Sequence, residues 1–244
     1  MHYSVKDLHV KYGNFEAVRG VSFDLNEGEI LAIVGESGSG KSTIARTLIG
    51  LERPSSGTIS VGSARRADRP RTQMIFQDAV GSLNPRMKIG TALQEAIDHA
   101  QGERTLLSAA KAQPQELLSL VGLSPAVADQ YPRELSGGQC QRVSIARALA
   151  CHPQVLIADE PVSALDVSVQ ARILNLLRDL RQKLGLSILL IAHDLAVVKN
   201  ISDRVCVMEH GLFVDTGTSE EVFNHPTSDY TKRLLLAVPT IRNS

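Results

Sequence analysis

The stretch Ile30-Leu31-Ala32-Ile33-Val34-Gly35-Glu36-Ser37-Gly38-Ser39-Gly40-Lys41-Ser42-Thr43 constrains this chain more than any other. An apolar run of strand length enters a glycine-rich loop, which closes on Gly40-Lys41-Ser42 and passes into a helical pattern carrying Ile44, Ala45, Leu48 and Ile49. A strand, a loop poor in Cβ atoms and a helix N-terminus, in that order, make a phosphate cradle. Backbone N–H groups can close on an anion only where side chains stay out of the way, which Gly35, Gly38 and Gly40 permit. The helix behind the loop aims its N-terminus at the same charge. Lys41 then neutralises the terminal phosphates, the Ser42 hydroxyl is placed for Mg²⁺, and Glu36, Ser37, Ser39 and Thr43 complete the wrap. A Gly/Ser-rich surface loop is the plain alternative, and the G-x-x-x-x-G-K-S spacing between strand and helix argues against it.

A length of 244 residues accommodates one large α/β domain with an inserted lobe, and 43% hydrophobic residues put a full core within reach. Lys plus Arg and Asp plus Glu stand at 26 each, so no basic excess advertises nucleic acid as a partner. The three cysteines, Cys140, Cys151 and Cys206, fit neither a disulfide framework nor a Cys-x-x-Cys metal site, which points to a reducing cytoplasm. The N-terminus has no apolar core of signal-peptide length, and no stretch approaches the roughly 20 apolar residues that span a bilayer. A membrane role would therefore come through partners.

Residues 3–25 alternate like antiparallel strands around a turn at Tyr12-Gly13-Asn14, with Ala17–Phe23 as the second strand. Pro54-Ser55-Ser56-Gly57 reads as a turn before a short strand Thr58–Val61, Arg65–Arg71 as a solvated loop, and Thr72–Gln77 as another strand. From about Leu83 to Ala150 the pattern turns helical, broken at Pro85, Gly102, Pro114, Gly122, Pro125 and Pro132, which predicts a lobe inserted into the α/β unit. Buried parallel strands then resume at Gln154–Ala158 and Leu186–Ala192, separated by a helix whose face carries Val169, Ile173, Leu176, Leu177, Leu180 and Leu184. A short helical tail is expected over about 218–244.

Chemistry gathers at the strand ends. Asp159 and Glu160 follow the strand Val155–Ala158, where open α/β sheets bind ligands. With a phosphate loop upstream, Asp159 suits a Mg²⁺ partner and Glu160 suits polarising an attacking water; without one they would read as cap or loop acids. Gln77 could touch water and metal or simply end a strand. His193 could be structural or donate to γ-phosphate oxygens. Tyr12 could be a half-buried strand aromatic or a platform for a purine. The turn Leu135-Ser136-Gly137-Gly138-Gln139 opens a helix and forms a second anion-binding nest about a hundred residues from the first. One nucleotide rarely needs two.

These motifs together resemble the ATP-binding subunit of ABC transporters over essentially the whole chain, taken as a single domain 1–244. Gly35–Ser42 looks like the Walker A motif, Gln77 the Q-loop, Leu135–Gln139 the signature and Val155–Glu160 the Walker B motif. Ser163-Ala164-Leu165-Asp166 looks like the D-loop, His193 the switch histidine, and Tyr12, with Val18 beside it, the adenine contact. The resemblance implies a P-loop NTPase core with a mixed sheet, an N-terminal antiparallel β-subdomain and an inserted helical lobe. It implies ATP and Mg²⁺ as cofactors, with Ser42, Gln77 and Asp159 toward the metal and Glu160, His193 and Gln77 in catalysis. It explains the second nest, because family members pair head to tail and Ser136, Gly137, Gly138, Gln139 and Asp166 would act on the partner's ATP.

A narrower resemblance, to the oligopeptide, dipeptide and nickel importer branch, rests on Phe76-Gln77-Asp78, Ser82–Met87 and His225-Pro226-Thr227-Ser228-Asp229-Tyr230-Thr231-Lys232-Arg233-Leu234-Leu235. It implies a peripheral ATPase on the cytoplasmic membrane face, working with a second ATP-binding subunit, two permease subunits and an extracytoplasmic solute-binding protein. Some members carry a C-terminal cysteine cluster for an iron-sulfur centre; no cysteine follows Cys206, and none is expected here. A permease helix would dock where the Gln77 loop meets the lobe, with Leu83 either at that interface or in the lobe core. An ABC exporter shares the core motifs. A soluble ABC ATPase of DNA repair or translation would show a coiled-coil insertion or tandem cassettes, and a P-loop kinase would leave the signature helix unexplained.

Overall fold

The computed structural model describes residues 2–62, 70–102 and 113–237. Strands β1 (Tyr3–Tyr12) and β2 (Phe15–Leu25) pair antiparallel across the expected turn, where Gly13 takes φ +59°. Then come β3 (Ile30–Val34), α1 (Lys41–Leu48) and β4 (Ser56–Val61), which returns to the free side of β1 and completes a sheet ordered β2-β1-β4. The turn expected over Pro54–Gly57 is therefore shorter, and Gly57 belongs to the strand. A Cβ there would lie 2.2 Å from the Asp7 carbonyl oxygen, at φ +94°, beside an irregularity in the β1–β4 register. What reads as a turn glycine is required by close backbone approach at a bulge.

The chain continues through β5 (Thr72–Ile75), α2 (Ile89–Gly102), α3 (Pro114–Leu120), short 3-10 turns at Pro125–Asp129 and Pro132–Glu134, and α4 (Gly137–Leu149). It then runs through β6 (Val155–Asp159), α5 (Val167–Leu184), β7 (Ser187–Ala192), α6 (Leu195–Val198), β8 (Arg204–Glu209), β9 (Leu212–Thr218), α7 (Ser219–Asn224) and α8 (Asp229–Ala237). The second sheet is ordered β5-β6-β7-β3-β8-β9, parallel except for β9. Residues 65–69 of the expected solvated loop and residues 238–244 of the expected tail lie outside the described residues. Arg71, read with that loop, instead ties β5 down, its Nε donating to the His152 carbonyl at 2.7 Å.

Every residue of β3, β6 and β7 is buried, as the uninterrupted apolar runs require of strands covered on both faces. Period-two alternation divides them between two cores. Ile30, Ala32 and Val34 join one cluster with Ile89, Leu93, Leu118, Val143, Ile173 and Leu177, which joins the helices between β5 and β6 to the sheet. Leu31 and Ile33 join the other with Val5, Leu8, Val18, Phe23 and Ile44, under the antiparallel sheet. Leu83 is 3% exposed and sits in the first cluster, so of its two expected places the structure takes the core.

Candidate active site

The phosphate loop leaves β3 and is threaded between β2 and β8. A Cβ on Gly35 would lie 2.0 Å from the Met208 carbonyl oxygen, and one on Gly40, at φ +110°, 2.3 Å from that of Ala17. Gly40 caps α1 with no side-chain hydrogen bond, which leaves the first N–H groups of the helix to an anion. Lys41 is 3% exposed, and its Nζ donates to the carbonyls of Gly35 at 2.7 Å and Glu36 at 2.8 Å. Burial pulls the ammonium below its ordinary range, and the charges of Glu160, Asp159 and Glu36 oppose that shift.

The opposite wall comes from three strand ends. Asp159, 2% exposed, accepts a 2.8 Å hydrogen bond from Ser42 Oγ; burial pushes its carboxyl up from the ordinary value, against that bond. A hydroxyl and a buried carboxylate this close are hard oxygen donors of the kind Mg²⁺ takes along with phosphate oxygens and water. Glu160 is held at φ +45°, an uncommon region for a residue with a Cβ, and its N–H donates to Ile191 at 3.0 Å. Its Oε2 accepts from Gln77 Nε2 at 2.9 Å and lies 3.7 Å from His193 Nδ1. Gln77 follows β5, Glu160 follows β6 and His193 follows β7, three adjacent parallel strands. Residues 83 and 116 positions apart thus meet around one carboxylate.

A cleft of about 490 Å³ joins these groups, lined by Tyr12, Phe15, Ala17, Glu36, Ser37, Gly38, Gly40, Lys41, Ser42, Thr43, Gln77, Glu160 and His193. The exposed ring of Tyr12 stands at its mouth. Of the residues expected around Lys41, Val18, Gly35, Ser39 and Asp159 do not line it, Asp159 lying buried behind Ser42. Val18 is 0% exposed and packs in the core beneath the antiparallel sheet, so Ala17 lines the cleft in its place. Gly35 is the floor under Lys41. Ser39 is turned inward, its carbonyl accepting from Gly211 N–H at 3.0 Å. The reading of the sequence missed Phe15, whose signal is an aromatic at the other end of the two-residue turn that presents Tyr12.

The second nest is elsewhere. Ser136 caps α4 by a reciprocal pair: its Oγ accepts from Gln139 N–H at 3.3 Å and Gln139 Oε1 accepts from Ser136 N–H at 2.9 Å. A Cβ on Gly138 would meet Val169 Cγ1 at 2.6 Å, so the turn is pressed against the start of α5. Asp166 caps α5, accepting from Val169 N–H at 3.0 Å and Ser168 Oγ at 2.7 Å, which hold its carboxyl below the ordinary range. None of Ser136, Gly137, Gly138, Gln139 and Asp166 lines the cleft around Lys41. Cys140, next on α4, is buried, and burial pushes its thiol up.

A family model described as ABC transporter matches residues 18–163. The oligopeptide transport ATP-binding protein OppF of Haemophilus influenzae is 51% identical over 235 residues, which cover 92% of this chain and 70% of that protein. The dipeptide transport ATP-binding protein DppF of Lactococcus lactis is 47% identical over 241 residues, 94% and 77% of the two chains. A dimeric structure of the bacterial ABC transporter cassette MJ0796 superposes with a TM-score of 0.75 at 27% identity, covering 89% of this chain and 98% of that one. The same cassette in a dimeric post-hydrolysis state bound to ADP and Pi gives a TM-score of 0.74.

Proposed function

This chain belongs to the ABC transporter family, and on that premise we propose that it is the ATP-hydrolysing subunit of a membrane importer for peptides, paired head to tail with a second ATP-binding subunit. One observation carries the reading: a cradle, a base-type carboxylate and, just beneath the cleft, a metal-type oxygen pair come together, while the nest at Ser136 lies outside it and is closed by its own capping box. A chain with half of each of two sites works as a pair.

In this reading Tyr12 stacks on the adenine, and the N–H groups of the loop and of α1 wrap the phosphates. Lys41 exchanges the carbonyls of Gly35 and Glu36 for phosphate oxygens, countering the charge that builds during phosphoryl transfer. Ser42 and Asp159 would hold Mg²⁺, which supplies electrostatic stabilisation of the phosphate oxygens. Glu160 accepts the proton of the attacking water, and His193 donates to the γ-phosphate oxygens. Gln77 holds Glu160 at 2.9 Å from a segment that leads into the helices, so movement of that segment reaches the base directly. The partner's Ser136-to-Gln139 turn then closes over the γ-phosphate.

We read residues 83–150 as the lobe that meets the permease, in a single 1–244 ATP-binding domain at the cytoplasmic membrane face. No helix among the described residues is long and apolar enough to cross a membrane. A groove of about 490 Å³ between the Gln77 segment and α2 and α4, lined by Met74, Phe76, Met87, Ala92, Ala96 and Arg147, supports docking of a permease helix there. Partly exposed Phe76, not Leu83, is then the residue to charge. The test is co-purification with permease subunits and a solute-binding protein, followed by ATP-dependent peptide uptake in proteoliposomes. Phe76→Asp should keep ATP binding and lose uptake. ATP hydrolysis that no peptide or permease subunit alters would overturn the importer assignment.

A further inference from the structure

The segment His225–Leu235, prominent in the sequence, has no part in the site as described, yet it is built against the phosphate loop. Asp215 on β9 accepts hydrogen bonds from Thr227 N–H at 3.2 Å, Ser228 N–H at 2.9 Å and the Thr227 hydroxyl, which pins the turn before α8. Burial opposes the charge on Asp215, but these bonds outweigh it and keep the carboxyl below its ordinary range. On α8, Leu234 and Leu235 pack against the core, and Arg233 lies over the Tyr230 ring, 3.7 Å from Glu209. Tyr230 is 5% exposed, and its Oη accepts a 3.0 Å hydrogen bond from Glu36 N–H, 194 positions away in sequence.

That N–H belongs to the peptide group joining Gly35 to Glu36. The carbonyl of the same group accepts from Lys41 Nζ at 2.7 Å. One peptide plane is therefore held at its oxygen by the phosphate-binding lysine and at its nitrogen by the phenol. Hydrogen bonds in such a chain polarise one another, and a buried N–H left without an acceptor is costly. Lys41 has three N–H donors to share, so turning toward a phosphate weakens its hold on this carbonyl. Of the two groups that hold the plane, Tyr230 is the one the phosphate does not compete for.

We propose that Tyr230 is a positioning residue for ATP: its phenol oxygen holds the Gly35–Glu36 peptide in place while Lys41 moves from loop carbonyls to phosphate, so that α8 contributes to nucleotide affinity. α8 also packs against α6, which begins two residues after His193. The inference rests on reading this cleft as the ATP site. A merely structural tyrosine would fill space and satisfy Glu36 N–H equally with and without nucleotide.

Tyr230→Phe in the full chain removes the oxygen and keeps the ring. The dissociation constant for ATP, by titration calorimetry, should rise about fivefold, the effect of losing one buried hydrogen bond that counts for more once Lys41 turns toward phosphate. KM should rise with it, and kcat at saturating ATP should stay within about twofold. Asp215→Asn, which loosens the turn but spares the phenol, should weaken ATP in the same direction and add nothing in the Tyr230→Phe background. Parental ATP affinity in folded Tyr230→Phe overturns the proposal, whatever its melting temperature, and so do additive losses in the double variant. Failure of the cleft reading looks different: the parent would then bind no ATP, or Lys41→Ala would bind as well as the parent.

Discussion

The phosphate loop and the Leu135–Gln139 turn are the same device in sequence, glycines and hydroxyls ahead of a helix N-terminus, and the fold treats them differently. Gly40 caps α1 without any side chain, and the lysine behind it is buried among carbonyls it can release. Ser136 and Gln139 close their helix end on each other, and no cation or carboxylate of the cleft faces them. Donors left open are ready for a ligand the chain holds alone. The Ser136–Gln139 pair leaves that helix end a ring of mutual bonds with no cation behind it, which fits the proposed division between a nest that binds ATP and one that meets a partner's.

The strongest way to separate the two is Glu160→Gln, which leaves both nests intact and removes the base. Hydrolysis should slow by about 10²- to 10⁴-fold with ATP affinity nearly unchanged, and an ATP-bound dimer should accumulate on size-exclusion chromatography. Single-turnover hydrolysis at the parental rate would falsify the role of Glu160.

Breaking the first nest comes next. Lys41→Ala should weaken ATP binding about 10- to 100-fold in calorimetric titration, the loss expected for charge-assisted hydrogen bonds to phosphate. Unchanged affinity in a folded variant would mean that the cradle does not hold the terminal phosphates.

Breaking the second should leave binding alone. Ser136→Arg fills the turn with bulk and charge, so ATP affinity should stay within about twofold while hydrolysis falls by about tenfold or more. Mixed with Lys41→Ala subunits it should regain activity, because one composite site then carries both defects and the other neither. Equal loss of affinity from both substitutions would erase the distinction between the nests.

The smallest effect tests what holding a buried carboxylate costs. The folded pKa of Asp159 is raised above 3.8 by burial, so the folded chain binds the proton more tightly than the unfolded one. The stability this gives is present below 3.8 and is lost as pH rises through the raised value. Asp159→Asn should therefore melt a few degrees above the parent at neutral pH, with an advantage that shrinks on acidification, and should hydrolyse ATP poorly. A melting difference constant from pH 7 to pH 4 would point to packing, not to charge.

Much of the fold is legible in the sequence. The apolar runs at Ile30–Val34, Val155–Ala158 and Leu186–Ala192 are buried parallel strands, because continuous burial on both faces leaves no room for polar alternation. β9 is not legible, since Leu212–Thr218 mixes exposed and buried positions without a clean period, whereas β8 carries a buried run at Val205–Met208 that the reading of the sequence missed. Gly57 looked like a turn because a glycine held by a carbonyl across a sheet and one in a turn are identical in sequence. Leu83 had two readings, and only packing chose between them.

The sequence by itself determined the local devices: a glycine-rich loop with its lysine ahead of a helix, the carboxylates Asp159 and Glu160 after a buried strand, and a second glycine turn about a hundred residues further on. Those are local statements, set by backbone freedom and side-chain type within short stretches of chain. Tertiary structure alone decided which residues meet. It brought Gln77 and His193 to Glu160, put Ala17 where Val18 was expected, and carried Tyr230 across the molecule to Glu36. The reason is physical: strand order and helix packing depend on burial summed over the whole core, and no short stretch of sequence records that sum.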